Sequence, residues 1–195
     1  MKSTRTAGWT LLELMITLTL LALLTAKVVT VMKMANDAAG EQSMAIHVEN
    51  QANEILDRIG LAIMGSDRGT LIPSVEGLNY SGLRYKLSLG TENGVTVWDD
   101  TEEIRLAGAG TRIEWRENPD EAEERRLVWT KLASPLLEGE VLNGVDDNGN
   151  GLVDEQGLTF VIERNMVTIR LTLRATSADG REVIRTVERT VTCRN

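Results

Sequence analysis

The sequence predicts an α+β fold, in which a long hydrophobic N-terminal helix packs on an antiparallel β-sheet head. The helix is predicted by an apolar stretch from Trp9 to Ala26 and by the helix-forming residues that follow it, with no proline before Pro73. The head is predicted because the apolar residues change from a helical spacing to alternation after about Ser81. Hydrophobic residues make up 42% of the 195 residues and aromatic residues only 4%, so the expected core is largely aliphatic.

Charge and rare residue types exclude several classes of function. The net charge is -8, from 21 Lys plus Arg and 29 Asp plus Glu. This charge argues against a nucleic-acid partner, because phosphate contact needs clustered basic residues. Cys193 is the single cysteine and His47 the single histidine of the sequence, so the chain cannot form an internal disulfide or a histidine-rich metal site. No motif of an activated nucleophile, a phosphate-binding loop or a zinc protease occurs, so we expect no enzyme activity.

The N-terminal segment predicts a membrane anchor with its N-terminus in the cytoplasm. The 18 residues from Trp9 to Ala26 approach membrane-spanning length and contain one charge, that of Glu13. Residues 1–8 carry Lys2 and Arg5 and no acid, so the positive-inside rule keeps this end cytoplasmic. A charged side chain at the centre of a membrane helix costs about 2.5–3.5 kcal/mol, so hydrophobicity alone does not explain Glu13.

The eight residues from Gly8 to Met15, GWTLLELM, follow a short basic leader and resemble the type IV prepilin signature of pilins and type II secretion pseudopilins. The resemblance implies cleavage between Gly8 and Trp9 by a prepilin peptidase, followed by methylation of the new Trp9 amine. Trp9 stands where the family usually has Phe. Glu13 is then the signature acid of the family, and it can neutralise the amine of a neighbouring subunit as the helices stack.

The same resemblance implies a ladle-shaped, pilin-like fold and a place in an envelope filament. The expected divisions are a leader at 1–8, a helix at 9–64 and a head at 65–195. Residues 9–31 are the expected membrane and filament-core half of the helix, and residues 32–64 its amphipathic half. The expected partners are the prepilin peptidase, other pilins or pseudopilins, the inner-membrane assembly platform and, before assembly, membrane lipid.

The amphipathic half of the helix predicts a face that packs under the head. Apolar residues recur at steps of three and four, as expected for one side of a helix. They are Met44, Val48, Ala52, Ile55 and Ile59. A helix from Trp9 to about Met64 would be on the order of 80 Å long at 1.5 Å per residue. His47 lies beside this stripe and is expected to be a half-exposed surface or boundary residue. We do not expect a switch or a metal ligand there, since no second histidine or nearby cysteine accompanies it.

The head is predicted to consist of short strands, each with alternating apolar positions. Its expected strands are 83–89, 95–98, 103–106, 111–116, 126–132, 158–163, 167–174 and 183–193. The last three form a meander, with a turn at 177–180. We expect the aromatic residues of the head in its core, and Leu127 on the same face as Trp129. The charged stretch 117–124 reads as a solvated turn.

Residues 143–157, NGVDDNGNGLVDEQG, predict a calcium loop. Oxygen-bearing side chains at alternate positions before a glycine converge on one point in loops of the EF-hand pattern. The expected ligands are Asp146, Asn148, Asn150, the carbonyl of Leu152, Asp154 and Glu155, with Asp147 as a further candidate. Gly157 stands where the pattern has a bidentate glutamate. The alternative is a polar linker, because Asn, Asp and Gly also favour turns.

Taken together, the sequence predicts a minor pseudopilin of a type II secretion filament. It would be a single-pass protein of the bacterial inner membrane, with its head in the periplasm. A minor pilin of a type IV pilus or competence filament is the alternative within the family. The alternative from another class is a periplasmic binding domain held by a signal anchor. Such a protein would show no dependence on the prepilin peptidase. An enzyme site in the head would need residues that no motif marks.

Overall fold

The computed structural model describes residues 10–177 and 180–193. The chain begins with one long helix, α1 (Leu11–Gly65), followed by a short 3-10 turn at Arg68–Thr70. The strands that follow are β1 (Asn79–Tyr80), β2 (Gly82–Glu92), β3 (Val95–Ala107), β4 (Arg112–Glu117), β5 (Arg125–Thr130), β6 (Leu158–Glu163), β7 (Met166–Thr176) and β8 (Glu182–Thr192). Within the described residues these strands form two four-stranded antiparallel sheets, so the α+β prediction is confirmed.

Helix α1 runs through two compact units, the first of which ends at Ser43. Every described residue from Thr10 to Ser43 is exposed, including the leucines of the apolar stretch. By its length and composition this helix could cross a membrane. The prediction of a long apolar N-terminal helix is therefore confirmed.

The second unit begins at Met44 and contains the last part of α1. Here the helix buries one face, formed by Val48, Ala52, Ile55, Leu56, Ile59, Gly60 and Ile63. The predicted stripe is confirmed, with Met44 partly buried at its edge. Gly60 faces β8, where a Cβ atom would lie at an ordinary van der Waals distance of 3.4 Å from the Cγ1 atom of Val191.

One sheet has the order β1-β6-β7-β8, and its last three strands are the predicted meander. Phe160 of β6 is paired with Ile169 of β7, and Leu171 of β7 with Val187 of β8. The alternation in β7 places Val167, Ile169, Leu171 and Leu173 in the core. Two residues of the predicted turn before β8, Ala178 and Asp179, lie outside the described residues.

The other sheet has the order β2-β3-β4-β5, and it corrects one prediction. The strands predicted at 95–98 and 103–106 are a single strand, β3, because pairing with β2 continues past Asp99 and Asp100 through irregularities in register. Leu127, predicted on the same face as Trp129, is exposed on β5, the edge strand of this sheet.

A single buried cluster joins both sheets to the last turns of α1. It includes Phe160 and Ile169 from one sheet, Leu83 and Ile104 from the other, and Ile59 from the helix. The prediction for the aromatic residues is only partly correct. Phe160 and Tyr85 are buried and Trp115 and Trp129 pack against the cluster, whereas Trp98 is 36% exposed. His47, expected at the surface or its boundary and half exposed, is exposed.

The charged stretch 117–124 is not simply a solvated turn, which corrects the prediction for it. Pro119 is buried, and the carboxylate of Glu124 binds the guanidinium of Arg116, a side chain only 6% exposed. The stretch folds back on β4 because this arginine needs anionic partners where water cannot reach it.

Candidate functional sites

Glu13 caps the first turn of α1. Its Oε2 atom accepts hydrogen bonds of 3.1 Å from the backbone N–H and from the hydroxyl of Thr10. In return, the backbone N–H of Glu13 donates to the Thr10 hydroxyl at 3.3 Å. This is the reciprocal arrangement of a capping box, which satisfies N–H groups that have no partner within the helix. Sequence reasoning assigned Glu13 to assembly and missed this local partner. Gly8 and Trp9, between which the sequence predicts cleavage, lie outside the described residues.

The threonines of the apolar stretch do not interrupt its hydrophobic surface. The hydroxyls of Thr17 and Thr19 donate to the carbonyls of Leu14 and Ile16, at 2.9 and 2.8 Å. The hydroxyls of Thr25 and Thr30 likewise donate to carbonyls one turn earlier. Because these hydroxyls bond to carbonyls of the helix itself, they need no other hydrogen-bond partner. Glu13 is therefore the charge that distinguishes this segment from an ordinary apolar helix.

The predicted calcium loop is folded around the carboxylate of Asp146. This carboxylate accepts backbone N–H groups from Gly149 and Gly151, both at 2.7 Å, and from Asn150 at 3.1 Å. The side-chain oxygens of Asn148 and Asn150 accept N–H groups two residues further on, at 3.0 and 2.9 Å. The local geometry therefore follows the spacing seen in the sequence, since these bonds join residues close in the chain.

Asp154 and Glu155 have different roles, although the sequence predicts both as calcium ligands. Asp154 closes the start of the loop, accepting the backbone N–H groups of Asn143 and Gly144 at 2.9 and 3.0 Å. Glu155 is fully buried, and its Oε1 atom accepts a hydrogen bond of 2.7 Å from Arg170 of β7. Its Oε2 atom accepts from the side-chain amides of Asn148, at 3.3 Å, and Asn150. The structure thus brings Asn148, Asn150 and Glu155 together and leaves Asp154 to one side.

The departure from the EF-hand pattern at Gly157 has a steric cause. A Cβ atom at this position would lie 1.8 Å from the carbonyl oxygen of Ser134, so no side chain fits. The backbone passes this close because the Gly157 N–H donates to Pro135 and its carbonyl accepts from Thr172 at 2.7 Å. The loop therefore cannot carry a glutamate at its twelfth position, and the buried carboxylate comes from Glu155 instead.

Glu140 is a member of this site that sequence reasoning missed. Its side chain lies against the loop, where its Oε1 atom accepts the backbone N–H of Asn148 at 3.2 Å. The residue is 7% exposed, and its Oε2 atom has no hydrogen-bond partner among the described residues. Glu140 lies next to the loop because the backbone N–H of Leu137, three residues earlier, donates to the carbonyl of Glu155 at 2.9 Å. No spacing of residues in the sequence predicts this contact.

Among the residues that the structure describes, no group of three His, Cys, Asp or Glu side chains is gathered closely enough to hold a metal ion. The carboxylates of Asp146 and Asp154 are bound to backbone N–H groups, and that of Glu155 is shared between Arg170 and two asparagines. The prediction of calcium binding by residues 143–157 therefore stays a prediction.

Comparison of the chain with family models, with curated proteins and with solved structures gives no match. The features of this chain that bear on function are therefore the apolar helix with Glu13 and the loop at residues 143–157.

Proposed function

We propose that this chain is a structural subunit of an envelope filament, of the minor pseudopilin type, assembled through its N-terminal helix. The observation that carries this proposal is the apolar segment after Thr10, which is exposed along its whole length and holds one acid, Glu13. An exposed apolar surface of this size needs lipid or other helices to cover it. A filament subunit uses both environments in turn, first the inner membrane and then the packed helices of its neighbours.

Processing comes before assembly in this proposal. A prepilin peptidase cuts between Gly8 and Trp9 and methylates the new amine, so the cytoplasmic leader is lost. Glycine at the cut leaves the backbone open to a protease because it has no Cβ. The mature chain then begins four residues before Glu13 and holds its head on the periplasmic side. This is the topology expected from the basic leader.

Glu13 sets the register of stacking after processing. A carboxylate in lipid is costly unless a cation or hydrogen-bond donors are near it. In the single chain Thr10 supplies two of these donors. In the filament the amine of Trp9 from an adjoining subunit supplies the opposite charge, so the two charges are buried as a pair. The assembly platform of the inner membrane would deliver each subunit to this position.

The function is tested by replacing Glu13 with glutamine in cells that make the filament. Glu13→Gln should be processed normally but should be recovered in sheared filaments, or cross-linked to neighbouring subunits, at a much lower level. Removing one partner of a buried ion pair costs about 3–5 kcal/mol, which corresponds to a loss of affinity of about 100-fold or more.

Asp37→Asn is the matched control, since Asp37 is an exposed acid on the same helix but beyond the apolar stretch. It should be incorporated like the wild type. Normal incorporation of Glu13→Gln would remove the role of Glu13 in register.

A further inference from the structure

We propose that a calcium ion binds in the head between the buried carboxylates of Glu140 and Glu155 and the side chains of Asn148 and Asn150. This site differs from the ligand set that the sequence pattern predicts, because Asp154 lies outside it and Glu140 lies within it. The inference is independent of the proposed function, since none of these residues belongs to the N-terminal segment.

The unpartnered oxygen of Glu140 is the observation that points to a ligand. The side chain is 7% exposed, and one of its two oxygens has no hydrogen-bond partner among the described residues. The other oxygen is held by the backbone N–H of Asn148 at 3.2 Å, which turns the carboxylate toward the loop. A buried carboxylate without a cation is costly, so a bound cation would stabilise this arrangement.

Glu155 is a second buried carboxylate that contacts Asn148. Asn148 links the two acids, because its backbone N–H reaches Glu140 and its side-chain amide reaches Glu155 at 3.3 Å. Arg170 contacts only the Oε1 atom of Glu155, at 2.7 Å, and is shared with Glu188 at 2.6 Å. Arg170 is therefore divided between Glu155 and Glu188, and none of the salt bridges among the described residues reaches Glu140.

The two asparagines complete a site made of oxygen atoms. The side-chain nitrogens of Asn148 and Asn150 donate to Glu155. Their oxygens each accept one backbone N–H, from Asn150 and Leu152. Because an amide oxygen has two lone pairs, each keeps one with which it could bind a cation. Two carboxylates and two amide oxygens on an irregular loop suit calcium, which accepts flexible oxygen coordination, better than magnesium, which demands a near-octahedral one.

The test is calorimetric titration of the full chain in detergent, freed of metal with a chelator, with calcium chloride and in parallel with magnesium chloride. We expect calcium to bind and to raise the melting temperature, and magnesium to bind more weakly. Glu140→Gln should weaken calcium binding by about 10- to 100-fold, as losses at metal sites commonly do. In chelator it should melt no lower than the wild type, because it removes a buried charge that has no cationic partner in the part of the chain that the structure describes.

Glu138→Gln is the matched control, since Glu138 is an exposed acid two residues earlier in the same segment. Its calcium affinity should equal that of the wild type. The proposal would be overturned if the wild type gave no heat and the same melting temperature in calcium and in chelator. It would equally be overturned if Glu140→Gln bound calcium as well as the wild type does, or if this variant melted much lower in chelator.

Discussion

The side chain of Arg116 joins strand β4 to the acidic turn that follows it. It donates to Glu103 at 2.7 Å and to Asp120 at 3.2 Å, and it holds Glu124 through two of its nitrogens. Hydrogen bonds from Arg116 and Arg126 keep the pKa of Glu124 well below its usual value. Arg84 and Arg116 lower the pKa of Asp120 in the same way. The turn is therefore held to the sheet by charge.

This network predicts a loss of stability in acid. A carboxylate with a lowered pKa in the folded state binds protons first in the unfolded state, so the free energy of unfolding decreases as the pH falls below about 4. Glu124→Gln should reduce this dependence, seen as a smaller difference in melting temperature between about pH 5 and about pH 3. Glu123→Gln, which changes an exposed neighbour, should keep the slope of the wild type. Equal slopes in all three proteins would contradict the role of Glu124.

At the loop, the predictable residues are those whose partners are close in the chain. Asp146, Asn148 and Asn150 bind N–H groups two to five residues away, so their spacing alone revealed the loop. Glu140 could not be found in this way, since its place depends on the pairing of Leu136 with Gln156. The clash between a Cβ at Gly157 and Ser134 is equally invisible in the sequence.

Among the elements, α1 has an exposed apolar part in the first unit and a packed part in the second. The change lies in its periodicity, because the apolar residues surround the first part and form a stripe in the second. The periodicity is local, so both parts were predictable from the sequence. The continuity of strand β3 was not predictable, because pairing with β2 overrides the preference of Asp99 and Asp100 for turns.

Two substitutions on the last turns of α1 test the packed face. Ile59 is fully buried, so Ile59→Ala should lower the free energy of unfolding by about 2–5 kcal/mol, through lost burial and the cavity it leaves. Leu61 is 67% exposed, and Leu61→Ala should change the free energy by less than about 0.5 kcal/mol. Denaturant unfolding of the full chain in detergent, followed by tryptophan fluorescence, measures both. Similar losses in the two variants would contradict the packing of this face.

For the whole molecule, fold class and element order were predictable, whereas strand order was not. The meander of β6, β7 and β8 follows from short connections, which favour pairing of neighbouring strands. The pairing of β1 with β6 joins Tyr80 to Phe160 across the rest of the head, and no local pattern specifies it. Such long-range pairings depend on how the complete sheets pack against each other and against the helix. The alternation of apolar residues within one strand carries no information about this packing.

The proposed function depends on removal of the leader, and the mass of the mature N-terminus tests this most directly. The full chain should be expressed in two otherwise identical hosts, one with a prepilin peptidase and one without it. With the enzyme, mass spectrometry should find a chain that begins at methylated Trp9. Without it, the chain should keep residues 1–8. The same N-terminus in both hosts would contradict the assignment to a pilus-like filament.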